Sequence, residues 1–242
     1  MQSKLIIAID TTDPTIMKNM YNSFKDNPNI SFKIGLEVFT SLGLKFLEIF
    51  EQPEKVFLDL KFLDIPNTVY KSVKSICRYP FKFITVHSLC GEEILQAAIR
   101  GRDEAQKNFT TKTKLLGVTL LTSMDENNLT LFSSSSTLIN ITELAKRIDR
   151  VGFDGIVCSA LEANFIKNNI SSELITVCPG IKTREIAGSN DQRRVVFTDE
   201  LHRFQADYAV IGRSILNSPK PISTVNNFFK ESNYEYHRGI AQ

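Results

Sequence analysis

Short apolar runs recur along the chain and alternate with stretches whose apolar residues fall three or four positions apart. Eight runs read as strands: residues 5–10, 31–35, 56–61, 83–88, 115–121, 155–159, 174–178 and 208–212. Most are continuously apolar, as strands covered on both faces must be. Between them the period becomes helical. Asp13-Pro14 supplies a cap followed by proline at the first helical position, and Ile16, Met17, Met20 and Phe24 continue one face. Val69, Val73 and Ile76 mark a helix that begins near Asn67, and Leu144, Ala145 and Ile148 mark one running from Thr142 to a stop near Gly152. The last helix covers residues 223–232, after a turn at Pro219 and Pro221. Eight strands alternating with helices in 242 residues predict a (β/α)8 TIM barrel, one domain over residues 1–242. An open doubly wound sheet is the alternative, but the strand count disfavours it and no glycine-rich fingerprint follows the first strand.

Two stretches interrupt this rhythm. Residues 124–140 are polar, with serine at 133–136, and read as a surface loop with a short helical piece. Residues 179–192 are rich in glycine and charge, a long connection of the kind that carries function in compact barrels.

Composition narrows the function classes. A hydrophobic fraction of 42% and a charged fraction of 23% suit a globular chain and exclude extensive disorder. The net charge is only +2, without a basic run, so neither a nucleic-acid nor a membrane footprint is indicated. The first apolar run ends at Asp10 and reads as a strand rather than a signal peptide. No run approaches the roughly 18 apolar residues of a membrane span. A soluble cytoplasmic protein is expected. Cys77, Cys90, Cys158 and Cys178 form no CxxC pair and no zinc spacing, and each lies in or beside an apolar stretch. They read as buried free thiols in a reducing compartment.

In a barrel of this kind the chemistry lies at the C-terminal ends of the strands. Polar residues there are Asp10, Lys33, the pair Asp59 and Lys61, His87 with Ser88, Thr122 with Ser123, and Gly212-Arg213. The third strand is the most informative. Side chains two apart share a face, so Asp59 and Lys61 are expected to point together into the mouth while Leu58 and Leu60 face the helices. An acid and a base withdrawn from water must be paired. Asp64, just beyond the strand, can turn back toward Lys61 or reach a neighbouring subunit. A structural ion pair capping the strand remains open at this point, and His87 reads as a hydrogen-bonded barrel residue.

The run Asp59-Leu60-Lys61-Phe62-Leu63-Asp64-Ile65-Pro66-Asn67-Thr68 resembles the signature of the orotidine 5′-phosphate decarboxylase family. Further landmarks occur in that family's order: Ile7-Ala8-Ile9-Asp10, Phe32-Lys33-Ile34-Gly35, Thr85-Val86-His87, Leu121-Thr122-Ser123, Pro179-Gly180-Ile181, Asp191-Gln192-Arg193-Arg194 and Ile211-Gly212-Arg213. The resemblance implies conversion of orotidine 5′-phosphate to uridine 5′-phosphate and carbon dioxide, with no metal and no cofactor, in a homodimer with shared sites. It implies that Lys61 protonates C6 and that Asp59 holds Lys61 beside the departing carboxylate. Asp10 and Lys33 would bind ribose hydroxyls, and Lys33 would extend the catalytic charge network. Asp64 and Thr68 would come from the partner chain, Thr122 and Ser123 would meet the pyrimidine edge, and Gln192, Gly212 and Arg213 would hold the phosphate. Two positions depart from the pattern. Leu63 stands where bacterial relatives carry His, and Lys182 stands where the strand-7 loop commonly has Arg, with Arg184 two residues on. Lys182 lacks the planar fork of arginine, so its phosphate contact is the least secure of the set. A magnesium-dependent decarboxylase or aldolase acting on a sugar phosphate shares Asp-x-Lys-x-x-Asp but usually lacks the Ile-Pro-Asn-Thr continuation. A non-catalytic nucleotide-binding barrel would require loss of Asp59 or Lys61.

Overall fold

The computed structural model describes residues 3–121, 137–184 and 195–232, with the backbone alone at residues 90 and 137–140. Eight parallel strands close into a barrel. They are β1 (Lys4–Ile9), β2 (Ile30–Ile34), β3 (Val56–Phe62), β4 (Phe83–His87), β5 (Lys114–Val118), β6 (Gly155–Val157), β7 (Ile175–Cys178) and β10 (Tyr208–Ile211). The ring closes where β1 pairs on one side with β2 and on the other with β10, Ile6 lying opposite Ser31 and Val210. The expected TIM barrel is thus formed, with strand ends differing from expectation by a few residues.

Side-chain alternation sorts the strands into two cores. Ile6, Ala8, Phe57, Phe83, Leu116, Val177, Tyr208 and Val210 form one cluster, from every second position, and fill the barrel. The intervening residues, among them Leu5, Ile7, Ile9, Phe32, Ile34, Leu58 and Ile84, belong to a larger cluster shared with the helices. This is why the strands are apolar at almost every position. The helix Pro14–Phe24 (α1) shows how the outer layer docks. Asp13 accepts from the backbone N–H groups of Thr15 and Ile16 at 2.8 and 3.3 Å, and Met17, Met20, Tyr21 and Phe24 are buried. Tyr21 then packs against Phe32 of β2 with ring centroids 5.4 Å apart.

Three departures from expectation have local causes. Pro221 lies inside the last helix (Pro221–Glu231), at the position where its missing N–H costs nothing, rather than in a preceding turn. The helix Thr137–Val151 starts five residues earlier than its buried stripe suggests. Residues 181–182 are not loop: Ile181–Lys182 (β8) pairs in parallel with Val196–Phe197 (β9) in a two-stranded sheet outside the barrel. Cys77, Cys158 and Cys178 are buried thiols, and burial pushes the Cys77 thiol up to about 12.

At the end of the barrel opposite the candidate site, Lys82 tucks under the strands. Its Nζ donates to Ser31 Oγ at 3.0 Å and lies 5.3 Å from the Tyr208 ring centroid. Burial first, then the charges of Lys4, Lys55 and Lys114, lower its pKa from 10.5 to about 8. Below pH 8 both folded and unfolded chains carry the proton, and the folded state bears the whole cost of holding it, about 3 kcal/mol at most. That cost disappears as pH rises to 10.5 and both states become neutral. Lys82→Met is therefore expected to be more stable than the unaltered chain at pH 7, with the difference shrinking between pH 8 and 10.5 in urea titrations.

Candidate active site

The inward positions of the strands continue past the apolar layers into polar ones at the C-terminal mouth. On β1 the sequence Ile6, Ala8 leads to Asp10. On β2 Ser31 leads to Lys33, on β3 Phe57 leads to Asp59, and on β10 Val210 leads to Gly212. Alternation alone delivers these residues to a cavity of about 560 Å³, which they line together with Lys61, Lys182 and Arg213. Around the mouth the polar side runs from β7 through β10, β1 and β2 to β3 in ring order. The opposite side, from β5 and β6, contributes Val118, Leu120, Val157 and Cys158.

Lys61 does not reach this cavity by simple alternation. Leu58 pairs with Ile84 and Phe62 with Val86, so β3 holds two more residues than β4 between these points. Within this bulge Lys61 has φ 51°, the only positive φ at a non-glycine residue among the described residues. The side chain is turned so that Nζ lies 2.8 Å from Asp59 Oδ2. The expectation that Asp59 and Lys61 converge therefore holds, but a bulge and not the pleat brings it about. Thr85, opposite the bulge and fully buried, donates to Asp59 Oδ1 and accepts from the Lys61 backbone N–H, both at 2.9 Å.

Lys33 extends the array. Its Nζ lies 3.2 Å from Asp10 Oδ1 and 3.9 Å from Asp59 Oδ2. Acids and ammonium groups thus alternate as Asp10, Lys33, Asp59, Lys61. Glycines on this side leave room for the charged ends. A Cβ at Gly35 would lie 3.1 Å from Lys33 Nζ, and one at Gly212 would lie 3.2 Å from Asp10 Oδ2. His87 stands at the end of β4 with its pKa lowered, by burial first and then by the Lys61 charge. Its Nδ1 accepts from the Leu89 N–H at 3.5 Å, and a neutral ring suits that role.

Lys182 and Arg213 follow neighbouring strands, β7 and β10, and both line the cavity beyond Asp10. Arg184 is employed elsewhere. It donates to Asp199 Oδ2 at 2.7 Å and stacks over the Phe197 ring at 4.5 Å. The lysine, not the nearby arginine, therefore faces the site. Asp64 and Thr68 are exposed and do not line the cavity. Asp64 accepts from the Ile65 N–H at 2.7 Å, and no ion pair to Lys61 forms among the described residues. Thr122, Ser123 and Gln192 lie outside the described residues. Sequence reasoning missed the role of Thr85 and the apolar side of the cavity. The signals for Thr85 were its place in the Thr85-Val86-His87 landmark and its polar side chain on the inward face of an otherwise apolar strand.

Fold and site together define a (β/α)8 barrel with an alternating acid and ammonium array at its C-terminal mouth and separate cations farther round the rim. Residues 3–228 match the family described as Orotidine 5'-phosphate decarboxylase / HUMPS family, and the chain belongs to that family. It is 38% identical over 218 residues to an orotidine 5'-phosphate decarboxylase of Carboxydothermus hydrogenoformans, covering 89% of this chain and 90% of that one. It is 33% identical over 236 residues to the enzyme of the same name from Geobacillus thermodenitrificans, covering 96% and 98%. A crystal structure of orotidine 5'-phosphate decarboxylase from Lactobacillus acidophilus superposes with a TM-score of 0.81 at 28% identity, covering 96% of this chain and 99% of that one.

The lowered pKa of His87 gives the site a signature in folding. Between that value and the ordinary 6.5, the unfolded chain binds a proton that the folded chain refuses, so stability falls as pH drops through the window. Urea unfolding at pH 7 and pH 5 is expected to show a smaller acid loss for His87→Gln than for the unaltered chain.

Proposed function

We propose that this chain is a carboxy-lyase that converts orotidine 5′-phosphate to uridine 5′-phosphate and carbon dioxide, the last step of uridine monophosphate synthesis, without a metal or cofactor. The observation that carries this reading is the Lys61 ammonium, 2.8 Å from the Asp59 carboxylate, in a cavity that Lys182 and Arg213 also line. The C6–carboxylate bond breaks and its electron pair stays on C6, in an sp² orbital that the ring π system cannot delocalise. The ammonium of Lys61 stabilises this charge and supplies the proton that forms the C6–H bond, then regains one from solvent. Asp59 holds the Lys61 ammonium in place through their 2.8 Å contact. Asp10 and Lys33 take the ribose hydroxyls. Lys182, Gln192, Gly212 and Arg213 hold the phosphate, whose remote binding energy can serve to organise the reacting end. Thr122 and Ser123 meet the pyrimidine edge.

The reading extends to a cytoplasmic homodimer, each barrel a single domain. Among the described residues no helix is long and apolar enough to cross a membrane. Leu63 and Ile65, 57% and 65% exposed, flank Asp64 on the surface, an apolar pair better covered than solvated. In the dimer the partner's Asp64 completes the array beside Lys61 and the partner's Thr68 reaches the ribose.

The decisive experiment is the ultraviolet assay with orotidine 5′-phosphate after treatment with EDTA. Full turnover is expected. A requirement for added magnesium would instead favour a sister enzyme acting on a sugar phosphate. Lys61→Ala is expected to lose at least about ten-thousandfold in kcat while still binding uridine 5′-phosphate, and undiminished turnover would sink the mechanism. Mixing Asp64→Asn with Lys61→Ala chains tests the shared site. Hybrid dimers are expected to regain activity, and none after proven exchange would count against sharing.

A further inference from the structure

We propose that Thr85 is a positioning residue for Lys61: its hydroxyl holds the β3 bulge in the shape that brings the ammonium and the Asp59 carboxylate together over the cavity. This role rests on the proposed decarboxylation with Lys61 as proton donor.

The two strands run out of step here. From Leu58 to Phe62 β3 takes four steps while β4 takes two, from Ile84 to Val86, so the ladder cannot serve every backbone group in between. The Lys61 N–H is one of the groups displaced, and Thr85 Oγ1 takes the place of a strand carbonyl by accepting it at 2.9 Å. The hydrogen of the same hydroxyl goes to Asp59 Oδ1 at 2.9 Å. Polarity is fixed at both ends, because an amide N–H can only donate and a carboxylate only accept. Thr85 has no exposed surface, so water cannot stand in for it. One oxygen therefore ties the backbone of the proton donor to the side chain of its counter-ion.

The tie has consequence because Lys61 sits at φ 51°, a conformation that side-chain-bearing residues keep only when their surroundings impose it. Without an acceptor for its N–H, the bulge gains by relaxing toward extended backbone, which would swing Nζ away from the cavity. Without the donor, the Asp59 carboxylate is free to rotate, and Oδ2 no longer faces both Lys61 and Lys33. Both changes fall on the reacting end of the cavity and leave the rim cations Lys182 and Arg213 in place.

Thr85→Val keeps the shape and removes the hydroxyl, Thr85→Ser keeps the hydroxyl and removes the methyl. With orotidine 5′-phosphate as substrate, Thr85→Val is expected to lose about a hundredfold in kcat, the scale of a misplacement near 1 Å. Its affinity for uridine 5′-phosphate, read by calorimetry, should stay within about threefold, and Thr85→Ser should recover kcat to within about fivefold. Should the Val variant fail to fold, Thr85→Ala against Thr85→Ser reads the same hydroxyl. The role is overturned if Val retains kcat within about threefold, if the loss appears only as weaker affinity, or if Ser loses as much as the variants lacking the hydroxyl. A wild-type chain that does not turn over orotidine 5′-phosphate would overturn the reaction and this role with it; an active wild type with an equally active Val variant overturns only the role of Thr85.

Discussion

The Asp59 carboxylate is the constraint around which the mouth of the barrel is arranged. Its side chain is only 11% exposed, so the charge must be answered locally. Oδ2 faces Lys61 at 2.8 Å and Lys33 at 3.9 Å, while Oδ1 accepts from Thr85. Removing either cation leaves a buried acid undercompensated, and removing the acid leaves two ammonium groups confronting each other. Lys33 in turn needs the Asp10 carboxylate, which stands nearest to solvent with 45% of its side chain exposed. The charges thus form one chain whose middle links, Lys33 and Asp59, are the least exposed at 14% and 11%, between Asp10 at 45% and Lys61 at 31%.

The array faces a cavity whose other side is apolar. Val118, Leu120 and Val157 line that side, and a charge acts more strongly where the surroundings screen it less. The rim cations are kept separate. Lys182 is carried by the small sheet that β8 makes with β9, and Arg213 by the start of the short helix Arg213–Leu216 after β10. Arg184 is drawn off by Asp199 and Phe197, which leaves Lys182 to face the cavity. In the proposed phosphate site, a point charge would bind without the directional demands of a guanidinium.

The barrel was legible because eight apolar runs are too regularly spaced for any smaller sheet, and the pleat then fixes which of their terminal residues face inward. Asp10, Lys33, Asp59 and Gly212 follow from that rule with no further information. Lys61 does not. Nothing in Leu58-Asp59-Leu60-Lys61 announces two extra residues against β4, because a bulge depends on the partner strand's register, which is a property of tertiary pairing. Thr85 was hidden for the same reason: its role exists only once the bulge does. The β8–β9 sheet joins two residues to two others across the thirteen positions between them, too short a pattern for periodicity to reveal. The assignments of Thr122, Ser123 and Gln192 rest on family resemblance, since they lie outside the described residues.

The bulge also shapes the segment beyond it. The chain leaves Lys61 at φ 51°, and the next residues pass outward, so that Leu63, Asp64 and Ile65 all lie on the surface. Pro66 then opens the helix Pro66–Ile76, with Thr68 exposed on its first turn. One short run therefore presents Lys61 to its own barrel and Asp64 and Thr68 to the outside. In the proposed dimer these outward residues enter the partner's site. The same distortion would then serve two active sites at once, inward through Lys61 and across the interface through Asp64. Such an arrangement would make association part of the chemistry, because a lone barrel holds the ammonium and its buried counter-ion while its own Asp64 points outward, away from the cavity.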